Sequence, residues 1–243
     1  ISSIVIFAGC GAPVKLFLNR NNREALLDYF KTEPGELPYN YIECDVSIKN
    51  SRNAGNFHFL SFIRKDSIRT FVKGPLGIPA GDILIIDSIA TIFIAPKNMA
   101  WRGRFSGKLL ENIIGVSPPL EEMKSVLTGR PDFLLLLFKN NSGMSMGAKE
   151  ITVINDPGRD IFWKKIIINK ENSFIRCLNE QSGISKEIEG LFSCFGKVMV
   201  PGIMRYHMEK WGTIIFKYKK RKMVDILPVE IFNLTIPKGV LIL

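Results

Sequence analysis

The sequence predicts a mainly β protein with some α: one curved antiparallel sheet, with helices lying across its concave side. Three observations carry this reading. From Tyr39 onward, short strand-like runs follow closely, separated by turn-like stretches such as NSRNAG, KD, DS and PKN. Several of the runs, NFHFLSFI, DILIID and TIFIAP, are apolar on both faces, where a half-exposed sheet would alternate. Between residues 106 and 129 the apolar spacing becomes helical, after which strands resume.

Taken in order, the chain opens with ISSIVIFAGC. Apolar Ile4 to Phe7, small Ala8 and Gly9, then Cys10 look like the end of a bacterial lipoprotein signal peptide, with Phe7 where Leu is preferred. On this reading residues 1–9 are a signal remnant and Cys10 carries acyl chains. Residues 10–37 form a lipid-anchored tether and helix, and 38–243 the β domain. The alternative is a first strand with an ordinary buried cysteine. Residues 20–31 read as an amphipathic helix carrying Ala25, Leu26, Tyr29 and Phe30, ended by TEPGELP. Strands are expected at 40–49, 56–64, 67–73, 82–87, 89–95 and 98–105. The helical insertion carries Leu109, Leu110, Ile113 and Ile114, then Leu120, Met123, Val126 and Leu127. Ser117 stands as N-cap before Pro118, and Gly129 as the stop. The stretch FLLLLFKNNSGMSMG, within 132–147, reads as a lid or a core segment. Further strands are expected at about 150–155, 160–169, 172–179, 184–189, 192–200, 203–209, 211–219, 222–227 and 229–236.

The charge balance, 33 Lys+Arg against 23 Asp+Glu, gives +10 and suits an acidic partner such as anionic lipid. No helix-turn-helix, zinc-finger or RNP-type pattern is present, so no nucleic-acid partner is expected. No apolar run approaches the ~20 residues of a membrane-spanning helix. Cys44, Cys177 and Cys194 have neither CxxC nor His spacing, so no metal is expected, and no motif calls for a cofactor. Cys44 shares a period-2 face with Ile42, Val46 and Ile48, and a Cys177–Cys194 disulfide is left open. GMSMG satisfies G-x-S-x-G at Ser145, but strand-like EITVI follows where an esterase elbow needs a helix. The chain's two histidines, His58 and His207, lie in no catalytic setting, so no enzyme is expected. KYKKRK, residues 217–222, is either a solvated hairpin or a contact for anionic head groups.

In TFVKGPLGIPAGD, Leu76 stands between Pro75 and Gly77, in a stretch whose residues say turn. It either folds back onto the core or faces outward. This stretch, followed by NIIGVSPPLEEMKSVLTGRP, resembles the LolB family of outer-membrane lipoprotein receptors. Gly115, Pro119, Leu120, Leu127, Gly129 and Pro131 stand in that family's pattern G-x-x-x-P-L…L-x-G-x-P. The C-terminal IFNLTIPKGVLIL is similar to the closing motif of the sister carrier LolA.

The resemblance implies an unclosed antiparallel β-barrel, a half-barrel, whose helices cover a concave apolar cavity for acyl chains. Leu109, Leu110, Ile113, Ile114, Leu120, Met123, Val126 and Leu127 would form the covering helices, and Phe57, Phe59, Ile85, Phe93 and Trp101 would line the cavity. The implied function is to accept acylated lipoproteins from a periplasmic LolA-like carrier and insert them into the outer membrane. Such a protein faces the periplasm of a Gram-negative-type bacterium, held by its lipid anchor. Pro75, Leu76 and Gly77 match the family's membrane-contacting loop. A strand arginine receives the lipoprotein in LolA; Arg64, Arg69, Arg102 and Arg104 are the candidates. The alternative is an envelope lipoprotein of the same fold that binds lipid, or serves as a scaffold, without transfer.

Overall fold

The structure is a computed structural model that describes residues 39–49, 54–104, 120–129, 141–155, 165–169, 171, 174–181, 184–195, 198–208 and 212–242. Expectations for Cys10, the tether and helix of 10–37, Leu109, Leu110, Ile113, Ile114 and residues 132–140 lie outside the described residues.

Period-2 alternation decides the first strand. In β1 (Tyr41–Lys49), Ile42, Cys44 and Val46 are buried while Glu43, Asp45 and Ser47 are half-exposed. The face carrying Ile42 is called the inner face here. An antiparallel meander follows: β2 (Ala54–Arg64), β3 (Ser67–Lys73), β4 (Pro79–Ile86), β5 (Ile89–Ile94) and β6 (Met99–Arg104). A second comprises β7 (Asn141–Met146), β8 (Glu150–Asn155), β9 (Lys165–Asn169), β10 (Phe174–Gln181), β11 (Ile184–Phe195), β12 (Val198–Met208) and β13 (Gly212–Lys222). The pairing of β1 with β13 fuses the two into one 14-stranded sheet running from β7 to β14 (Leu241–Ile242). Those two strands stand at opposite ends of the order, so the sheet is unclosed. Every pairing is antiparallel except that of β14 with β6.

The helix α1 (Leu120–Thr128) packs on the inner face, where buried Val126 and Leu127 meet the sheet. Leu127 joins Ile68, Ile85, Ala90 and Ile92 in one buried cluster. On the other side, residues 223–242 run back over the outer face of the first meander. A 3-10 turn at Val229–Phe232 contacts β3, and Phe232 is buried. Leu84, Thr91 and Ala100 are buried on the same outer face. Strands β3 to β6 are therefore covered from both sides, which accounts for their lack of polar alternation.

Three expectations are corrected. Residues 222–227 and 229–236 are not strands; β13 absorbs Lys222, and the rest forms the covering segment. The expected break after residue 200 is absent, because β12 carries Pro201 through at a bulge opposite Phe192, where a missing N–H is tolerated. Residues 141–146, read as part of a lid or core segment, form the edge strand β7. On the disulfide left open, Cys177 is a buried thiol not joined to Cys194; Cys44 is a buried thiol too, and burial pushes it up to about 12.

Beneath the covering segment, Arg69 donates to Asp82 across β3 and β4, with its guanidinium 4.9 Å from the Phe71 ring. Both side chains are largely withdrawn from water, so each charge depends on the other. Arg69→Leu should lower the urea unfolding free energy by about 3 kcal/mol by stranding Asp82. Adding Asp82→Leu should restore most of it; equal losses in the single and double variants would show that the charges are uncoupled.

Candidate functional site

The inner face supplies an apolar surface built from aromatic rings. Phe57 and Phe59 alternate on β2, opposite Val46 and Cys44. The Phe59 ring meets Phe216 at 6.4 Å, edge-on, and Phe216 meets Tyr206 at 6.0 Å, so an aromatic row crosses the joint between the meanders. Ile85 is fully buried in the cluster with Leu127, and Phe59, Trp101 and Met123 pack against that cluster. Phe57 and Trp101 lie flat along their strands. A Cβ on Gly55 or on Gly103 would stand 3.0 Å from the respective ring. Of the five lining candidates, Phe93 is misplaced. Ile92 pairs with inner Trp101, so the next residue points outward, aligned with Asp82 and Ala100.

Of the helix residues named from sequence, Leu120 begins α1, and Met123, Val126 and Leu127 lie on its sheet side. The end of α1 is held by side chains from both ends of the chain. The Tyr39 hydroxyl reaches the carbonyl oxygens of Thr128 and Gly129, each at 3.1 Å, and the Tyr218 hydroxyl donates to Val126 O at 2.7 Å. Burial raises the Tyr218 phenol well above its ordinary pKa, so it stays a donor. The Arg221 guanidinium lies 4.6 Å from the Tyr218 ring and 5.6 Å from the Tyr39 ring, and donates to Pro201 O. A cation here complements the negative helix C-terminus. Gly129 stops the helix as expected, with φ +60; a Cβ on it would stand 3.1 Å from Arg221 Nη2.

This clamp was invisible in sequence spacing, because its members are some ninety residues from the carbonyls they reach. The four strand arginines singled out from sequence all stand elsewhere. Arg69 is paired with Asp82, while Arg64, Arg102 and Arg104 are exposed on the outer face. Among the described residues, Arg221 is the arginine on the inner face.

The second feature is the tip of the β3–β4 hairpin. Gly74 N–H donates to Ile78 O at 2.8 Å, and Ile78 N–H to Pro75 O at 3.3 Å, closing a tight loop. Within it, Leu76 adopts φ 59, ψ 17 and is 99% exposed, so it does not fold back onto the core. Its neighbour Ile78 is 63% exposed.

Other motifs resolve simply. In KYKKRK, Lys219 pairs with Asp45 at 3.3 Å and Lys220 with Glu43 at 3.4 Å, while Lys222 lies 4.6 Å from the Tyr41 ring. The run is thus a solvated strand face with Arg221 turned inward. Ser145 lies in mid-strand on β7, not at an elbow. Five strand spacings, about 24 Å, separate β7 from the strand of His207. His207 meets Thr213 at 3.0 Å, and His58 meets Asp45 at 2.9 Å. An open outer-face groove of ≈ 640 Å³ lies against Lys49, Ala54, Asn56, Arg205, His207 and Ile215.

The large unclosed, mainly antiparallel sheet is a LolA-like fold, on its likeness to solved structures. A LolA superfamily protein from Nitrosomonas europaea matches at a TM-score of 0.50 and 13% identity, over 85% of this chain and 94% of that one. A DUF1329 family protein from Desulfovibrio piger matches at 0.52 and 10% identity, over 83% and 92%. No family model and no curated protein matches the sequence.

Two outcomes follow. Tyr218→Phe should cost about 1 kcal/mol in urea unfolding, because Val126 O loses the shorter of its two hydrogen bonds and keeps that from Gly129 N–H at 3.2 Å; no change would mean that the hydroxyl does not hold α1. Leu76→Glu should leave the thermal unfolding midpoint within a degree or two of the parent, as expected for an exposed position. A large drop would mean that Leu76 packs in solution.

Proposed function

We propose that this protein is an outer-membrane lipoprotein, anchored through acylated Cys10, that takes acylated lipoproteins from a periplasmic LolA-like carrier and inserts them into the membrane. The observation that carries the reading is Leu76: an apolar side chain held fully in water, in a closed loop, on a LolA-like sheet. The inner face with its aromatic row and α1 is the acyl-chain surface, and helices over it form its cover. Phe57, Phe59, Ile85 and Trp101 are assigned to its lining; Phe93 is not.

Magnitudes divide the work. Burying a sixteen-carbon chain contributes about 12 kcal/mol at ~0.8 kcal/mol per CH₂. Insertion of one leucine contributes only ~1.5–3 kcal/mol. Leu76 therefore cannot retain the protein at a membrane; it orients the opening while the inner face carries the cargo. Handover needs no covalent step, only a receiver whose apolar surface binds the chains better than the donor's.

The test is transfer. A form beginning after Cys10, mixed with a carrier loaded with an acylated lipoprotein, should take up the cargo and deliver it to liposomes. Leu76→Glu should reduce delivery at least tenfold while leaving uptake intact. Absence of uptake, with co-purifying lipid found by mass spectrometry, would mean a lipid binder without transfer. Absence of both would leave an envelope scaffold.

A further inference from the structure

Leu76 does not stand alone at its end of the sheet. The β3–β4 tip is followed by the β5–β6 tip, a 3-10 turn at Ala95–Lys97, and the two are joined at their base by the pairing of Gly81 with Ile94. The last described segment reaches the same place. Asn98 Nδ2 donates to Gly239 O at 3.1 Å, Leu241 N–H donates to Asn98 O at 3.2 Å, and Leu241 pairs with Met99. Three segments therefore lie side by side over four strand spacings, about 19 Å.

Their side chains share a chemistry. Leu76, Ile78, Leu241 and Ile242 are all exposed, the last two at 58% and 59%. Lys73, Lys97 and Lys238 are also exposed, one on each segment. Residues 73–81, 94–100 and 236–242 include no Asp or Glu. By contrast, Lys219 and Lys220 further along the sheet are each met by a carboxylate. Leu241 and Ile242 are successive residues of the edge strand, aligned with Met99 and Ala100, so the apolar side chains at this end face both sides of the sheet, which suits a fluid partner better than a shaped one.

We infer that this end of the sheet, from Leu76 across Lys97 to Leu241 and Ile242, is a docking surface for a bilayer carrying anionic phospholipid. The inference rests on the membrane role proposed for Leu76 and adds to it the edge strand β14 and a lipid-charge preference. Lysines near an anionic surface contribute about fivefold each, so the three together should give roughly 100-fold. The contribution should weaken with salt, as charges near a headgroup layer are screened within about 10 Å at 0.1 M ionic strength.

The experiment is flotation of the unacylated 243-residue chain with phosphatidylcholine vesicles, with and without 30% phosphatidylglycerol, at low and high salt. Binding contributed by any other segment is common to all the proteins compared. The parent should bind phosphatidylglycerol vesicles about 100-fold more tightly than phosphatidylcholine alone. Lys73→Gln with Lys97→Gln and Lys238→Gln should abolish that preference. Leu241→Glu with Ile242→Glu should weaken binding to both vesicles, as should Leu76→Glu. Unchanged melting curves, expected at exposed positions, keep the comparison independent of folding.

A triple lysine variant that keeps the preference, or a Leu241/Ile242 variant that binds like the parent, overturns the inference, and leaves the Leu76 reading standing if Leu76→Glu alone is defective. If Leu76→Glu binds like the parent while the lysine variant loses its preference, the Leu76 reading fails and the basic rim is upheld. A parent that binds neither vesicle overturns both.

Discussion

The pairing of β1 with β13 is the constraint on which the rest depends. Each meander is local, but this ladder joins residues separated by most of the chain, from Tyr41 opposite Lys222 to Lys49 opposite Thr213. Its inner side is largely apolar, Cys44 against Tyr218 and Val46 against Phe216, with Arg221 opposite Ile42, so burial offsets the entropy of closing so long a loop. Asn40 extends it: its side chain donates to Val224 O at 2.8 Å and accepts from Val224 N–H at 2.7 Å, as a paired backbone would. The same ladder brings Tyr39 beside Tyr218 and Arg221, so the carbonyls of Val126, Thr128 and Gly129 receive tyrosine hydroxyls where the two meanders meet.

The two halves of the sheet solve the problem of a second face differently. Over β3 to β6, residues 223–242 cover the outer face, and the ion pair of Arg69 and Asp82 lies beneath. Over β10 to β12 the outer face carries ion pairs open to solvent: Arg176 with Glu187, and Arg205 with Glu189 at 3.3 Å. The inner face is mostly apolar in both halves, with Ile151, Ile166, Ile168 and Ile175 at 0–2% exposure, and its buried Ser61 and Thr70 satisfy one another at 2.9 Å. The outer side is covered over the first meander and open to solvent over the second.

Local signals in the sequence were legible and distant ones were not. The first six strands match expectation to within three residues at each end, because alternation and turn residues are properties of neighbours. Gly129 as a helix stop was readable for the same reason. The end of the chain was misread because IFNLTIP has strand composition, yet Phe232 is buried against a sheet that already has its neighbours. Phe93 was misassigned because both faces of β5 are apolar, so composition no longer tells inside from outside. Arg221 hid inside a basic run; the bulge between Glu43 and Cys44 re-registers β13 and turns this one residue inward among outward lysines.

Leu76 combines two costs. A left-handed backbone at a residue with a branched side chain is unfavourable by roughly 1–2 kcal/mol, and the side chain gains nothing from burial. Glycine or asparagine would close the same loop with less strain. On the membrane reading proposed above, relief comes from outside the chain. Pro75 fixes one backbone torsion, and the Gly74 and Ile78 hydrogen bonds fix the ends, so little entropy remains to be lost when the leucine enters an apolar phase. A flexible loop would lose part of the same ~1.5–3 kcal/mol in ordering itself. Rigidity converts a weak contact into an orienting one, and it makes the direction in which Leu76 points, rather than its hydrophobicity alone, the property that the fold specifies.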